Sequence, residues 1–354
     1  LRVLITGGAG FLGFHTANHL AERGIESVVY DVASLVPADF PAGTTGIVGD
    51  VRDAQSLTRA FREHRPDAVV HAAAALPLCK PGEIQSTNVD GMRNVLRLAR
   101  EHHVERVVVI SSTAVYGVPK KHPLEETDPL IGVGPYGESK IEAERACEAA
   151  RAEGLCVPVI RPKTFIGTGR LGVFQILCDW VESGTRIPLI GPGTNTYELL
   201  DVEDLCEAIH LCLARDAATV NDTFNVGSGD LRPVREYVGE LCAYAGTGSR
   251  VMATPAGLVI GVLRLLELLH LSPLYRWVYG TAHTDSWVSS DKARQALGWA
   301  PRFSNSEALI RCYQWYLDHK AELAGATGVT HRVAWRQGAL GLVKRVLTPR
   351  RRHR

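Results

Sequence analysis

Short apolar runs alternate with longer segments of helical spacing through the first 160 residues. Strands are predicted at Arg2 to Thr6, Ser27 to Asp31, Gly46 to Val51, Ala68 to Ala74 and Arg106 to Ser112. Helices are predicted between them, from Phe11 to Arg23, Asp53 to His64, Glu83 to His102 and Tyr136 to Ala152. The run Val107-Val108-Val109-Ile110 is wholly apolar before two serines, as a strand covered on both faces of a parallel sheet should be. This alternation predicts an α/β chain built on a doubly wound parallel sheet. Beyond Val157-Pro158-Val159-Ile160 the chain is richer in Gly and Pro, which predicts a smaller, mixed substrate lobe. Asp201-Val202-Glu203-Asp204 is expected to open a helix leading back over the core, and Asp222 to Val226 to return as a last sheet strand. The expected organisation is a nucleotide core at 1–165, a substrate lobe at 166–325 interleaved with the last core elements, and a tail at 326–354.

The first strand runs into Gly7-Gly8-Ala9-Gly10-Phe11-Leu12-Gly13 and then a helix. Gly8, Gly10 and Gly13 satisfy G-x-G-x-x-G, and Gly7, Gly10 and Gly13 the related G-x-x-G-x-x-G. Glycine is needed where a side chain would hold a pyrophosphate off the backbone, and the N–H groups of the helix N-terminus then bind the anion. The second strand ends in Asp31, whose carboxylate can accept bonds from both adenosine ribose hydroxyls. Its charge would repel a ribose phosphate, and no basic residue follows in Val32-Ala33-Ser34, so NAD is favoured over NADP. A tight turn beside an incidental Asp is the plainer alternative. Asp50, beside Val51, is placed against the adenine amino group, and the small residues Ala72, Ala73 and Ala74 allow close backbone approach to the cofactor.

Tyr136 and Lys140 lie one helical turn apart. A phenol ionises near pH ~10, so it acts as a base at neutral pH only beside a cation that stabilises the phenolate. Lys140, at i+4 on the same face, can supply that field, and can also hold the nicotinamide ribose. Ser112 would hydrogen-bond a substrate oxygen as it changes between alcohol and ketone; the alternative is a strand-end serine capping the following turn.

Together Gly7 to Gly13, Asp31, Gly49-Asp50, His71 to Ala74, Ser111 to Gly117 and Tyr136 to Lys140 resemble the extended short-chain dehydrogenase/reductases, the NAD-dependent epimerase/dehydratase group. The likeness spans about 230 residues, and extends more loosely through Leu297-Gly298-Trp299-Ala300-Pro301. It implies a Rossmann fold, catalytic roles for Ser112, Tyr136 and Lys140, and a place for Asn88 near the cofactor in a mainly structural role. It also implies a homodimer through two helices of the nucleotide lobe.

Substrate choice is less simple. Sugar-nucleotide epimerases of this group anchor a diphosphate with an Asn where this chain has Thr164, and with an arginine where it has Tyr197. Thr113, Thr164 and Tyr197 are therefore the candidate substrate contacts, with Lys163, Arg170 and Arg186 as compensating cations. The stretch from Leu258 to Leu271 is interrupted only by Arg264, Glu267 and His270, and a helix apolar around most of its circumference is covered by core, lipid or an apolar ligand. The 3β-hydroxysteroid and sterol dehydrogenases similarly carry an apolar helical insertion there. From His331 to Arg354 there are eight Lys/Arg and no acid. Trp335, Ala339, Leu342, Val343, Val346 and Leu347 share one helical face, which fits a helix lying on an anionic membrane surface; a solvated basic tail is the alternative.

With 354 residues, 45% of them hydrophobic, the chain can bury a large core. Its net charge of +1 carries no nucleic-acid signature. The eight cysteines show no C-x-x-C pair and no metal spacing, which predicts reduced packing residues, a cytoplasmic setting and no metal. The expected function is an NAD-dependent oxidoreductase moving a hydride to or from a secondary alcohol or ketone carbon of a small molecule, with Tyr136 as acid/base. A sterol- or isoprenoid-like substrate is preferred. The alternatives are a UDP- or dTDP-sugar epimerase or dehydratase, and a non-catalytic NAD-sensing protein.

Overall fold

The computed structural model describes residues 1–268, 281–323 and 340–348, which divide into two compact units. The first comprises Leu1–Phe165, Val202–Gly227 and Val288–Arg302. Its strands are β1 (Arg2–Thr6), β2 (Glu26–Asp31), β3 (Thr45–Val48), β4 (Ala68–His71), β5 (Arg106–Ile110) and β6 (Val159–Pro162). The strand Thr223–Val226 completes a seven-stranded sheet and pairs parallel with β6. Every pairing is parallel: Leu4 of β1 lies opposite Val28 of β2 and Val69 of β4. The chain moves outward from β1 through β2 to β3, then returns to β4 on the other side of β1. That reversal leaves a crevice outside the C-terminal ends of β1 and β4, where doubly wound sheets bind ligands.

One face of the sheet is covered by α2 (Ala54–His64), α4 (Gly91–Glu101) and α5 (Gly134–Ala152), with the short α3 (Pro81–Gln85) leading into α4. In α2, Leu57, Ala60 and Phe61 fall on one face and are buried, while Asp53 caps the first turn by accepting from the Gln55 and Ser56 amides at 2.9 and 3.1 Å. These side chains join Leu4, Tyr30, Val69, Val95, Leu98 and Val107 in one core. Opposite, α1 (Phe11–Ala21) packs on the helix Val202–Ala214. Trp299, almost fully buried, donates its indole N–H to the Asp204 carbonyl at 2.8 Å, which fixes the Leu297 to Pro301 block against that helix.

The helix expected from Glu83 to His102 is helical without interruption over Pro81–Glu101, but it is not α-helical throughout. A π-helical turn at Ser86–Asp90 separates α3 from α4, and it swings the Asn88 amide inward, where it is 2% exposed. Gly91 follows because a Cβ there would come within 2.6 Å of Val51.

The second unit comprises Ile166–Asp201, Ser228–Trp287 and Phe303–Arg354, within the described residues. Helices Val173–Glu182, Val234–Ala245 and Asn305–Leu323 enclose Trp180, Leu241, Tyr313 and Tyr316. Strands Ile187–Ile190 and Val251–Thr254 pair beside them in parallel. Of the charged tail, the part described is a helix at Leu340–Leu347 docked on this unit. Lys344 pairs with Asp179 at 2.6 Å, and the Arg186 amide donates to the Leu347 carbonyl. Val343 and Val346 point outward at 38% and 83% exposure; Trp335, Ala339 and the arginines from Arg350 onward lie outside the described residues.

Replacing Phe61 by Ala removes a fully buried ring from the nucleotide core. Urea unfolding is expected to show a loss of roughly 3–5 kcal/mol; a change under 1 kcal/mol would contradict this packing.

Candidate functional site

At the crevice the glycine turn is held by backbone proximity. Gly7 sits at φ +70°, and a Cβ there would lie 2.6 Å from the Ala73 amide nitrogen. A Cβ on Gly13 would stand 2.3 Å from the Gly8 Cα, so α1 can approach the β1 turn only without a side chain. Gly10 differs: the one atom its Cβ would crowd is the Gly7 carbonyl oxygen, at 3.1 Å. Its constraint therefore points outward, toward a ligand. No side chain caps α1, whose first turn holds Phe11, Leu12 and Gly13. Phe11 and Leu12 are buried, and the Phe11 ring stacks on Phe165 at 6.0 Å. An uncapped helix start beside an outward-facing glycine fits a pyrophosphate.

Asp31 closes β2 and reaches back across the turn, accepting from the Ala9 amide at 3.0 Å and the Ala33 amide at 2.9 Å. One carboxylate thus orders the glycine loop while keeping lone pairs for ribose hydroxyls. Asp50 is gripped by Arg52, which donates through Nε at 2.9–3.0 Å and holds its carboxyl below the usual range. Val51 is buried and its side chain lies against Gly91. Ala72, Ala73 and Ala74 are half-buried beyond the end of β4, whose last residue is His71. Burial pushes His71 down to about 3, and its Nδ1 is 2.7 Å from the Thr6 hydroxyl. Asn88 acts on protein: it accepts from the Ala75 amide at 2.8 Å and donates to the Ser139 hydroxyl at 3.0 Å, tying the β4 loop to α5.

Ser112, Tyr136 and Lys140 come from two segments that the fold brings together. Ser112 starts a 3₁₀ turn, Thr113–Tyr116, and its Oγ accepts from the Ala114 amide at 3.1 Å. Capping and catalysis are compatible, because that bond leaves the hydroxyl proton to be donated. Gly137 brings α5 alongside: a Cβ there would lie 3.0 Å from the Ala114 carbonyl oxygen. The Lys140 ammonium stands 5.9 Å from the Tyr136 ring centroid and donates to the Ile110 carbonyl at 3.0 Å. Burial lowers its pKa to about 8, with Glu144 opposing the shift. Tyr136 itself is half-buried.

Behind this pair lies a charged core that sequence reasoning missed. Arg161 of β6 grips Glu144 of α5 through Nε at 3.0 and 3.1 Å and through Nη2 at 2.6 Å, with both side chains 4% exposed. Arg161 also donates to the Tyr116 hydroxyl at 2.8 Å, which donates to Asn225 at 2.8 Å. Burial works against the Arg161 charge, but the bonds and field of Glu144 outweigh it and its pKa stands above the ordinary value. The available signal was two opposite charges at core positions: Glu144 follows Lys140 by four residues, and Arg161 interrupts an apolar strand.

The candidate substrate contacts divide between the units. Thr113 and Thr164 are half-buried in the first, and Tyr197 is half-buried in the second, where its carbonyl accepts from the Tyr237 hydroxyl at 3.0 Å. Of the compensating cations, Lys163 and Arg170 are buried and Arg186 is exposed. The apolar stretch forms a helix at Ala256–Leu268, which exposes Leu258, Val262 and Leu265 and buries Leu263; residues 269–271 lie outside the described set. All eight cysteines are free thiols. Among the described residues no acidic, His or Cys cluster could hold a metal, and no helix is long and apolar enough to cross a membrane.

Comparison with known proteins bears on these features. The sequence model of the NAD dependent epimerase/dehydratase family matches residues 3–227. A protein of Sinorhizobium fredii, y4nG, is 34% identical over 96% of this chain and 85% of its own length. The UDP-glucose 4-epimerase of Halalkalibacterium halodurans is 28% identical over 90% of this chain and 96% of its own. The 2-alkyl-3-oxoalkanoate reductase of Stenotrophomonas maltophilia is 30% identical, covering 88% and 98%. Among solved structures, Thermus thermophilus UDP-glucose 4-epimerase in complex with NAD superposes with a TM-score of 0.73 at 28% identity, over 90% of this chain and 99% of that one.

Two outcomes test the site. Gly13→Ala is expected to lower stability and NAD affinity together, whereas Gly10→Ala should keep the melting temperature and weaken NAD about tenfold, or ~1.4 kcal/mol, by calorimetry; equal effects would erase the distinction between the two glycines. Turnover should fall as pH rises through about 8, where the Lys140 cation is lost, and a rate–pH profile should lack that limb in Lys140→Met.

Proposed function

The chain belongs to the NAD dependent epimerase/dehydratase family, and from that premise we propose that it is a sugar-nucleotide epimerase or dehydratase acting on a UDP- or dTDP-sugar. It is an NAD-dependent enzyme of the extended short-chain dehydrogenase/reductase type. The observation that carries the finer reading is the Tyr136–Lys140 pair at the crevice, in a chain that matches UDP-glucose 4-epimerases over nearly their whole length. The sterol-like substrate expected from the apolar helix has less support than this.

Gly10 and the first turn of α1 would hold the cofactor pyrophosphate, Asp31 the adenosine ribose, and Lys140 the nicotinamide ribose. Bound NAD supplies the acceptor for the hydride that leaves the carbinol carbon, and returns it in the epimerase case. The chain's own residues manage the proton. Tyr136, as phenolate, takes the proton from the substrate hydroxyl, and the Lys140 ammonium, 5.9 Å from the ring, lowers the energy of that phenolate. Ser112, its lone pair engaged by the Ala114 amide, turns its proton toward the substrate oxygen and stabilises charge there as the carbonyl forms. In the return direction Tyr136 gives the proton back.

A second reading, net oxidation or reduction of an apolar hydroxy or keto acid, is favoured by two observations. One is the likeness to the 2-alkyl-3-oxoalkanoate reductase. The other is that Thr164 and Tyr197 stand where a diphosphate would want an amide and a guanidinium.

The two readings separate on incubation with NAD+ and three panels: UDP- and dTDP-sugars, hydroxysterols, and 2-alkyl-3-hydroxyalkanoates. Interconverted sugars with no net NADH are expected; NADH from an apolar alcohol, with the sugars untouched, would reverse the ranking. Tyr136→Phe should cut turnover by about 10²–10⁴ with NAD binding retained, and undiminished turnover in that variant would remove Tyr136 from the chemistry.

A further inference from the structure

Tyr136, Lys140 and Glu144 form one stripe on α5, each a helical turn from the next. Glu144 is buried beneath the pair. One of its oxygens accepts from the Ser111 hydroxyl, the residue before Ser112. Both oxygens are gripped by Arg161, which itself donates to the Tyr116 hydroxyl and to the Glu126 carbonyl at 3.1 Å. Ser111 and Tyr116 bracket the segment that carries Ser112 and Thr113. The carboxylate therefore lies at a junction: along its helix it faces the Lys140 ammonium, and across the sheet it anchors the strand end bearing Ser112.

We propose that Glu144 is a positioning residue for proton transfer, holding the Ser111–Ser112 strand end against α5 and keeping Lys140 a cation beside Tyr136. This deepens the reading above and rests on Tyr136 being the acid/base.

Burial opposes the Lys140 charge, and few of the groups around it offset that. On its own helix it faces Tyr136, Glu144 and Cys147; His71 faces it from β4, the Ile110 carbonyl from β5, and Arg161 lies behind Glu144 on β6. His71 is neutral near pH 7, and burial pushes the Cys147 thiol up to about 12. Among the described residues Glu144 is therefore the anion of this shell. Without it the desolvated ammonium would lose its proton at lower pH, and the Tyr136 phenolate would lose its support. A purely architectural pair would hold helix to strand without touching either ionisation.

Removing Glu144 alone would leave the Arg161 guanidinium buried without a counter-ion, so both members are changed together: Glu144→Gln with Arg161→Met. Buried ion pairs replaced by uncharged residues of similar volume commonly keep the fold. Should this pair not fold, Glu144→Met with Arg161→Met takes its place. Tyrosinate ultraviolet absorbance is followed against pH with NAD bound, for wild type and variant, each minus its own Tyr136→Phe counterpart. The difference isolates Tyr136 without any substrate, so a wrong choice of substrate would leave this test standing. The double variant is expected to raise the Tyr136 ionisation by about one pH unit, a tenfold loss of phenolate at fixed pH, with melting temperature and NAD affinity retained. Glu144→Asp, which keeps the charge, should bring the ionisation back toward wild type. An unmoved ionisation in the folded double variant, or the same rise in Glu144→Asp, would overturn the proposal and leave Glu144 as packing. A wild-type Tyr136 that ionises like a free phenol would instead sink the acid/base reading on which it rests.

Discussion

A guanidinium and a carboxylate lie together where the sheet meets α5, and neither has water to fall back on. Arg161 and Glu144 are each 4% exposed. Two ions in such a place are tolerable only if each meets the other's full hydrogen-bonding capacity. Arg161 does so with bonds to both carboxylate oxygens, to Tyr116 and to the Glu126 carbonyl, while Glu144 also receives Ser111. Breaking one side of such a pair typically costs about 3–5 kcal/mol, so β6, α5 and the turn after β5 cannot shift independently. These are the elements that carry or frame Lys140, Tyr136 and Ser112.

A second constraint acts at the crevice between β1 and β4, and it is one of space rather than charge. Gly7 lies against the Ala72 and Ala73 backbone, and Gly13 against Gly8. Two loops and a helix start thus share a volume that admits no Cβ. Asp31 and Asn88 bond the same loops from opposite sides, through Ala9 and Ala75. Close packing alone would leave them able to slide; the two polar side chains fix their register. The result is a closely packed turn that leads into the uncapped first turn of α1, a start suited to an anion.

The second unit follows a different logic. Its aromatic core of Trp180, Tyr313 and Tyr316 is conventional, and Tyr197 here and Thr164 in the first unit are the positions the family resemblance proposes for diphosphate recognition. In the proposed mechanism the chemistry of the reacting carbon is general, because the roles given to Ser112, Tyr136 and Lys140 suit any secondary alcohol. Recognition of the remainder of the substrate rests on side chains that vary within one fold. This is why relatives of similar likeness act on a sugar nucleotide in one case and on an oxoalkanoate in another.

The amino-acid pattern alone was enough for the alternation of strands and helices, the glycine turn, the acid closing β2 and the Tyr136 to Lys140 spacing, since each depends on residues close together in the chain. The doubly wound sheet follows from them, because parallel strands joined by helices have few ways to pack. Contacts between distant residues were beyond such reading. The pairing of Glu144 with Arg161, the approach of Gly137 to Ala114 and the inward turn of Asn88 join segments 17 to 51 residues apart. The π turn within the helical run after Gln85 belongs with these, because it carries the Asn88 amide to partners elsewhere in the chain. So does the docking of the helix at Leu340, whose Lys344 pairs with Asp179, 165 residues away. Local spacing specifies which chemistry a chain can hold; only the folded arrangement decides which charges are taken out of water, and therefore which must be paired.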